Sequence, residues 1–382
     1  ISERQSAPFA ILDAVYESLM LVLDADPTVN LPPLTVYWSV NNIASSGNFG
    51  DGDIGSSLYS TGATAIYVLG HADNDTDEFD KSVIQHEFGH YIEDKLSRSE
   101  SIGGSHQLGL PLDMRVAFGE GFGNAFASMS SGSIYYLDTY GQAQSSGFGF
   151  NVETNRYSQG YYSEAAVQTI LFDIFDDDSE NGDSLALGFE PILSALRHPD
   201  YLSFDGYSSI FSFASVLKTV SPASTAGVNE LLAGQGISGT DAYGAGETAT
   251  GGAGFTLPIY QRISQGEVVE VCSDNKFEHF NTTIEGEYNS HVNRRFVLLD
   301  VPATANYTIT ATRSAGLSPS DPDLTLYREG AWAGFSEGAA NNTESWSRRL
   351  TAGTYVLSVY EAANVDDNSG TGGLVCFDVS FN

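Results

Sequence analysis

Residues 86–90 read His-Glu-Phe-Gly-His, a pair of histidines four positions apart with a glutamate beside the first. On a helix, this spacing places the imidazoles of His86 and His90 on one face, so that one metal ion can bind both. Glu87 lies next to that face, where its carboxylate can take a proton from water at the metal. The pattern predicts a zinc site for hydrolysis, with two histidine ligands and Glu87 as general base.

The residues before and after this motif favour a helix over about residues 80–96. Asp80 stands at the position of an acidic N-cap, and Phe79 and Ile84 stand where a hydrophobic staple would close the first turn. The alternative interpretation is a buried helix that carries two structural histidines. A third ligand elsewhere in the chain would favour the metal site over that alternative.

A catalytic zinc site needs a third protein ligand and leaves the fourth position to water. The metzincin pattern is excluded, because Glu93 and Leu96 occupy the places of its glycine and third histidine. Asp94 continues the row of His86 and His90, but it lies about 12 Å along the helix axis from His86. The third ligand must therefore come from another element.

Glu120 is the candidate for that ligand. It lies in residues 115–127, where glycines at positions 119, 121 and 123 interrupt a helical pattern. Each glycine costs a helix about 1 kcal/mol relative to alanine, so we expect two helix backbones to approach closely here. Asn124, one turn after Glu120, is then placed to hydrogen-bond the outer nitrogen of a ligand histidine. A tightly packed helix with an incidental glutamate is the alternative.

The chain resembles the gluzincin metallopeptidases, in which HExxH is completed by a glutamate on a downstream helix. It is most similar to secreted bacterial members that carry a pre-peptidase C-terminal domain. The resemblance rests on residues 77–80, 86–91, 119–121 and 162–164. It implies that His86, His90 and Glu120 bind zinc and that Glu87 is the catalytic base.

Two departures from related families bear on this resemblance. Thermolysin-like members carry an aspartate one turn after the third ligand, where this chain has Asn124. A neutral amide can still orient the imidazole, although it raises ligand basicity less than a carboxylate does. The Gly-Ala-Met-Glu-Asn motif of the related aminopeptidases is absent, which favours an endopeptidase.

The composition is strongly acidic, with 49 acidic and 16 basic residues in 382 and a formal net charge of −33. Nucleic-acid partners are excluded because phosphate contacts require Lys and Arg. We expect protein or peptide substrates and a monomeric protein. No apolar run reaches the length of about 20 residues that a membrane span needs. The first residues, 1–4, resemble neither an initiator start nor a signal peptide, so we expect a secreted protein whose leader has been removed.

The pattern along the chain predicts two domains. Residues 1–245 are expected to form an α+β, two-lobed, zincin-like peptidase domain, and residues 255–382 an all-β sandwich. The sandwich resembles a pre-peptidase C-terminal domain at residues 321–327 and 350–355, and we expect it to be a binding or secretion module without catalytic groups. The predicted helices are residues 8–24, 80–96, 113–130 and 163–176; the first predicted strands are 34–40 and 63–69.

In the first helix, Phe9, Leu12 and Tyr16 recur at helical spacing. Two further features, the cysteine pair and the acidic segments, are open to more than one interpretation. Cys272 and Cys376 are expected to form one disulfide bond, with two free thiols as the alternative.

Acidic segments at 73–77 and 176–183, and the pair Asp321 and Asp323, offer oxygen ligands for structural Ca²⁺. At 73–77 the EF-hand pattern is incomplete, because Glu78 replaces its glycine and Ile84 its bidentate glutamate. A solvated acidic loop is the alternative there.

The proposed reaction also needs a donor for the developing oxyanion besides the metal. Tyr162, just before a predicted helix, and His106, between the two metal-binding helices, are the candidates. The function predicted from these residues is a secreted zinc-dependent endopeptidase. The rival is a non-catalytic adhesin or binding protein with a zincin fold, and Glu87 is the feature against it, because a structural zinc site needs no such base.

Overall fold

The computed structural model describes residues 4–177, 185–275, 288–339, 341–366 and 371–382. Positions 178–183 of the predicted acidic segment lie outside the described residues. The longer helices are α1 (Ala7–Ala25), α2 (Lys81–Leu96), α3 (Met114–Ser131), α4 (Glu164–Phe175), α5 (Phe189–Leu196), α6 (Pro199–Leu202), α7 (Ile210–Val220) and α8 (Thr225–Gly234). Among the described residues, no helix combines the length and apolarity that crossing a membrane requires.

The first region contains two small sheets. Its strands are β1 (Thr35–Trp38), β2 (Leu58–Ser60), β3 (Ala65–Val68), β4 (Tyr135–Tyr140) and β5 (Ser146–Asn151). The first three form a sheet in the order β1-β3-β2, with β1 parallel and β2 antiparallel to β3, and β4 and β5 form a hairpin. The strands predicted at 34–40 and 63–69 correspond to β1 and β3. The sequence analysis missed β2, because three residues are too short to show alternation.

Helix α1 is present as predicted, but the apolar residues that recur in its sequence lie on its exposed face. Phe9, Leu12 and Tyr16 are 73%, 62% and 57% exposed. The face that α1 buries consists mostly of small side chains: Ala7, Ile11, Ala14, Ser18 and Val22. Small side chains allow α1 to approach α2 closely, which the spacing of large apolar residues does not reveal.

The start of α2 differs from the predicted staple and cap. Phe79 is 50% exposed while Ile84 is buried, so the two do not form a staple. The Asp80 carboxylate makes no hydrogen bond to the first turn of α2. It instead accepts hydrogen bonds from the backbone N–H and hydroxyl of Thr139 on β4. The start of α2 is therefore tied to the β4–β5 hairpin.

The C-terminal region is a β-sandwich. Its strands are β6 (Tyr260–Ser264), β7 (Val268–Ser273), β8 (Arg294–Val301), β9 (Ala305–Gly316), β10 (Pro322–Arg328), β11 (Ala331–Ser336), β12 (Thr343–Leu350), β13 (Gly353–Glu361) and β14 (Val375–Phe381). They form sheets in the orders β11-β10-β13-β8-β6 and β12-β9-β14-β7. The predicted disulfide is confirmed, since Cys272 and Cys376 are bonded across β7 and β14. The predicted helices-plus-sheets architecture with a sandwich is present, and the zincin character of the first region stays a prediction.

The two regions share a hydrophobic core. Strand β8 is buried on both faces: Val297 and Leu299 face the sandwich interior, whereas Phe296 and Leu298 join the core of the helical region. Between the regions lies Arg115, which is 2% exposed and bonds Asp113 through two nitrogens at 2.8 and 2.7 Å. Burial opposes ionisation of Asp113, but the Arg115 charge outweighs it and lowers the pKa of Asp113. The sandwich is therefore packed firmly on the helical region.

The buried Asp113–Arg115 pair gives a test of this interface. Removing one partner leaves a buried, unpaired charge, so Arg115→Met should destabilise the full chain by about 3–5 kcal/mol. Asp113 also caps α3 through the Arg115 N–H, and asparagine can keep that cap. The double variant Asp113→Asn/Arg115→Met should therefore recover part of the loss. Urea unfolding midpoints measure both effects, and equal midpoints for the single and double variants would contradict the assignment.

Candidate metal centre

Helices α2 and α3 bring three metal-ligand groups together. The Nε2 atoms of His86 and His90 are 3.0 Å apart. Glu120 Oε2 lies 3.1 Å from the first and 3.4 Å from the second. Ligands about 2.0–2.1 Å from a tetrahedral zinc ion are separated by about 3.3–3.4 Å, so these spacings are close to those of a zinc site. The donor atoms of the three predicted ligands thus converge around one position in the structure.

Hydrogen bonds on the far side of each imidazole turn its Nε2 toward that point. His86 Nδ1 donates to Asn124 Oδ1 at 2.9 Å, and Asn124 Nδ2 donates to Gln168 Oε1 at 3.0 Å. His90 Nδ1 faces Glu93 Oε2 at 3.4 Å. With protons on both Nδ1 atoms, the two Nε2 atoms present lone pairs to each other, and a shared cation removes that repulsion. The donor set therefore fits a zinc ion.

The Asn124 bond agrees with the sequence analysis, which expected that side chain behind a ligand histidine. Glu93 was not predicted as a partner of His90. Its position three residues after His90 on the same helix was the signal that could have identified it.

Two glycines make the approach of α2 and α3 possible. A Cβ on Gly123 would lie 2.7 Å from His86 Cε1, and a Cβ on Gly89 would lie 3.1 Å from Gly123 Cα. Gly121 serves the opposite face of α3, because its Cβ would lie 2.6 Å from Val167 Cβ on α4. The close approach expected from the glycine pattern is thus present against both neighbours of α3.

Glu87 faces a cleft beside the three ligand groups. Its Oε2 accepts a hydrogen bond from the backbone N–H of Tyr59, at 2.6 Å, on the edge strand β2. The cleft has a volume of about 1060 Å³ and is lined by Glu87, His86, His90, Glu120, His106 and Tyr59, among others. Burial raises the pKa of Glu87. Burial also disfavours the charge of Glu120, but the neighbouring imidazoles, His106 and His90 first, outweigh it and lower its pKa well below the usual range.

Of the two predicted oxyanion donors, the structure brings only His106 to the centre. Its Nε2 is 3.2 Å from Glu120 Oε2, and its Nδ1 is 2.8 Å from Glu164 Oε2. Burial favours the neutral ring, but the carboxylates of Glu120 and Glu164 raise the pKa of His106 to about 9. The loop before His106 is held by the sandwich, since Asn289 Nδ2 donates to the carbonyls of Gly103 and Ser105.

Tyr162 is not at the centre, which corrects the sequence analysis. Its ring packs against His291, with ring centroids 4.8 Å apart, at the interface with the sandwich. Ser163 caps α4 and directs the next residue, Glu164, toward His106. The predicted stretch 162–164 therefore does contribute to the site, but through Glu164, which the sequence analysis did not name as a site residue.

The predicted calcium segments are partly described. Asp75 and Asp77 converge with Asp80 and Asp138, each offering an oxygen within 4.8 Å of the others. Asp73 instead accepts a hydrogen bond from the backbone of Ala143. In the sandwich, burial and then Asp321 raise the pKa of Asp323 to about 8. Calcium binding at these places stays a prediction.

Comparison with known proteins gives matches to solved structures over about a third of the chain. The pre-peptidase C-terminal domain of a collagenase from Bacillus anthracis is 15% identical, and the match covers 32% of this chain and 94% of that one with a TM-score of 0.23. A periplasmic inhibitor of g-type lysozyme from Aeromonas hydrophila is 14% identical over 32% of this chain and 99% of its own, with a TM-score of 0.19. A family 35 carbohydrate-binding module from Clostridium thermocellum is 14% identical, and the match covers 30% of this chain and 97% of that one with a TM-score of 0.20.

No protein-family model and no curated protein sequence matches this chain. The expected likeness to a pre-peptidase C-terminal domain is therefore found over about a third of the chain, and the peptidase resemblance stays a prediction. No function is inferred from these partial matches.

The helix approach can be tested at a residue that binds no metal. Gly123→Ala adds a methyl group against the His86 ring and should weaken zinc binding by about tenfold or more, as disturbing the support of a ligand does. The same change gains about 1 kcal/mol of helix propensity, so it should not unfold α3. Gly234→Ala, at a glycine of α8 whose Cβ would meet nothing within 4 Å, is the matched control. Competition with a chromophoric chelator measures affinity, and equal zinc affinity in both variants would refute the argument.

Proposed function

We propose that this chain is a secreted, monomeric, zinc-dependent endopeptidase that hydrolyses proteins or peptides. The observation that carries the proposal is the pairing of a three-donor metal site with a separate carboxylate. His86, His90 and Glu120 point at one position, and Glu87 stands outside that set while facing the same cleft. A structural zinc site has four protein ligands and needs no separate carboxylate, whereas three ligands leave an open position for water, so Glu87 beside such a site supports catalysis. All four belong to one chain, so the proposed site needs no residue from a second subunit.

A zinc ion bound by His86, His90 and Glu120 would supply Lewis acidity, polarising a carbonyl and making water more acidic. Glu87 acts as the general base: it takes a proton from the attacking water and returns it to the leaving amine. The Tyr59 N–H holds Glu87 Oε2, which orients the carboxylate and leaves Oε1 for the proton. Asn124 and Glu93 keep the two imidazoles in orientation.

The edge of β2 is suited to an extended peptide. Among the described residues this strand lies at the edge of its sheet, and its outer side turns the Tyr59 N–H toward Glu87. Leu58, Tyr59 and Thr61 all line the cleft. An extended substrate can add to such an edge by backbone hydrogen bonds, which binds any sequence and places a mid-chain bond near the metal. This arrangement favours an endopeptidase.

His106 is proposed to stabilise the oxyanion. Glu164 accepts a hydrogen bond from its Nδ1, and the Nε2 side faces Glu120 across the centre. A positively charged imidazole at this place can donate to an oxygen that gains charge during attack. The position of Tyr162 at the interface leaves this role to His106.

Substitutions of Glu87 and Glu120 should have different effects on zinc content and activity. Glu87→Gln keeps the three donors, so it should hold a full zinc complement while losing about 10²- to 10⁴-fold in rate. Glu120→Ala leaves two histidines and should lose zinc and activity together, with partial recovery in added zinc. Metal analysis beside a casein or peptide assay, with chelator and zinc add-back on the parent, measures both. The proposed mechanism is contradicted if the Glu87→Gln variant is as active as the parent. It is also contradicted if the Glu120→Ala variant keeps the full zinc content of the parent.

His106 is expected to affect the rate and not the metal. His106→Ala should retain stoichiometric zinc and lose about 10²- to 10³-fold in kcat, the usual effect of removing an oxyanion donor. KM should change little, because the interaction forms mainly in the transition state. The control is His198→Ala, at a half-buried histidine beside α6. Loss of zinc from His106→Ala would show that His106 acts as a ligand.

A further inference from the structure

A second cavity, of about 590 Å³, opens next to the metal-binding cleft. His86 and Glu87 line both spaces, so a group in the second cavity lies beside the proposed reacting groups. One wall is aromatic and includes Tyr136, Phe148 and Phe150, whose rings are stacked. The volume falls in the range of small-ligand pockets, about 300–1000 Å³. The cavity can therefore accept a large side chain of a substrate.

Three aspartates line the same cavity, Asp75, Asp77 and Asp138, in addition to Glu87 and Glu164. In each aspartate, Oδ1 is buried and receives no hydrogen bond from an N–H or hydroxyl donor among the described residues, although the Asp75 and Asp77 carboxyls interact with each other. Asp77 is only 3% exposed, and its other oxygen accepts a hydrogen bond from Ser57. Buried carboxylate oxygens without donors are costly, so their presence in a cavity wall points to a positively charged ligand.

The described part of the chain does not supply the missing charge. Among the described residues, no Lys or Arg forms an ion pair with these three aspartates, and the nearby Lys81 is paired with Glu17. Burial, followed by repulsion from Asp75, raises the pKa of Asp77 to about 9. Burial and the neighbouring aspartates likewise raise the pKa of Asp138 to about 7. A cation from outside would relieve this repulsion.

We infer that the second cavity binds the side chain of a lysine or arginine next to the scissile bond of the substrate. The inference rests on the proposed function. The aliphatic stem of such a residue packs along the aromatic wall, and its charged end reaches the carboxylates. The net charge of −33 also attracts cationic peptides.

Other occupants use only part of the cavity. An apolar side chain would cover the aromatic wall but leave the three Oδ1 atoms without a hydrogen-bond donor, which a polar site penalises strongly. A Ca²⁺ ion would satisfy the carboxylates but leave the aromatic wall without a function. A basic side chain uses both surfaces, which is why we favour it.

Matched peptides test this inference on the full, zinc-loaded chain. Each pair differs only in lysine or norleucine, placed immediately before or immediately after the cleaved bond. We expect kcat/KM for the lysine peptide to exceed that for norleucine by at least about tenfold at one of these positions. Asp77→Asn should reduce that ratio to near one. Asp73→Asn, an exposed residue of the same loop that does not line the cavity, should leave it unchanged.

The possible failures are distinguishable. If neither peptide is cleaved, the proposed function falls, and this inference with it. If both are cleaved with no preference for lysine at either position, only the specificity inference falls. In a last experiment, the peptide pairs are assayed again in millimolar Ca²⁺. A preference for lysine that persists supports a site for a basic side chain. A preference that calcium abolishes would assign the carboxylates to a metal ion and overturn the inference.

Discussion

The close approach of α2 and α3 is the constraint on which the rest of the centre depends. Glutamate has a short side chain, so Glu120 meets the Nε2 atoms of both histidines only if the helix backbones nearly touch. They do so where Gly89 meets Gly123. On the other face of α3, Gly121 admits α4, which carries Gln168 and Glu164. Glycines cost helix propensity of about 1 kcal/mol each, and the two tight contacts account for that cost.

The sandwich takes part in shaping the centre, although none of its described residues contributes a side chain to the three-donor cluster. Asn289 and Tyr288 hydrogen-bond the backbone of the loop that ends at His106. The backbone of Asn289 also accepts a hydrogen bond from Asp113, at the start of α3. The region after residue 255 thus supports both the proposed oxyanion donor and the helix that carries Glu120. We therefore regard the two regions as one structural unit around the cleft.

The sequence predicted what depends on local spacing. The histidine pair, the glycine pattern and Asn124 follow from positions within one or two helices, and the structure places those residues together. What failed depended on contacts with distant segments. The residue type of Phe79 does not show that Asp80 will accept a hydrogen bond from Thr139, or that Phe79 will be exposed. Likewise, the residue type of Tyr162 does not show that its ring will pack against His291, which lies far along the chain. Nor does any local signal reveal that β8 is buried on both faces.

Carboxyl groups of the same kind differ in ionisation here because their surroundings differ. Glu120 faces three imidazoles, which lower its pKa and keep it ionised, as its proposed role as a metal ligand requires. Glu87 lies one residue from His86, yet burial dominates there and raises its pKa, which suits its proposed role of accepting and releasing a proton. Among the described residues, no cation offsets the buried carboxyl of Asp77 or the half-buried carboxyl of Asp138, and the pKa of each is raised. The charged form is disfavoured in this third environment, and the proposed cationic ligand would favour it.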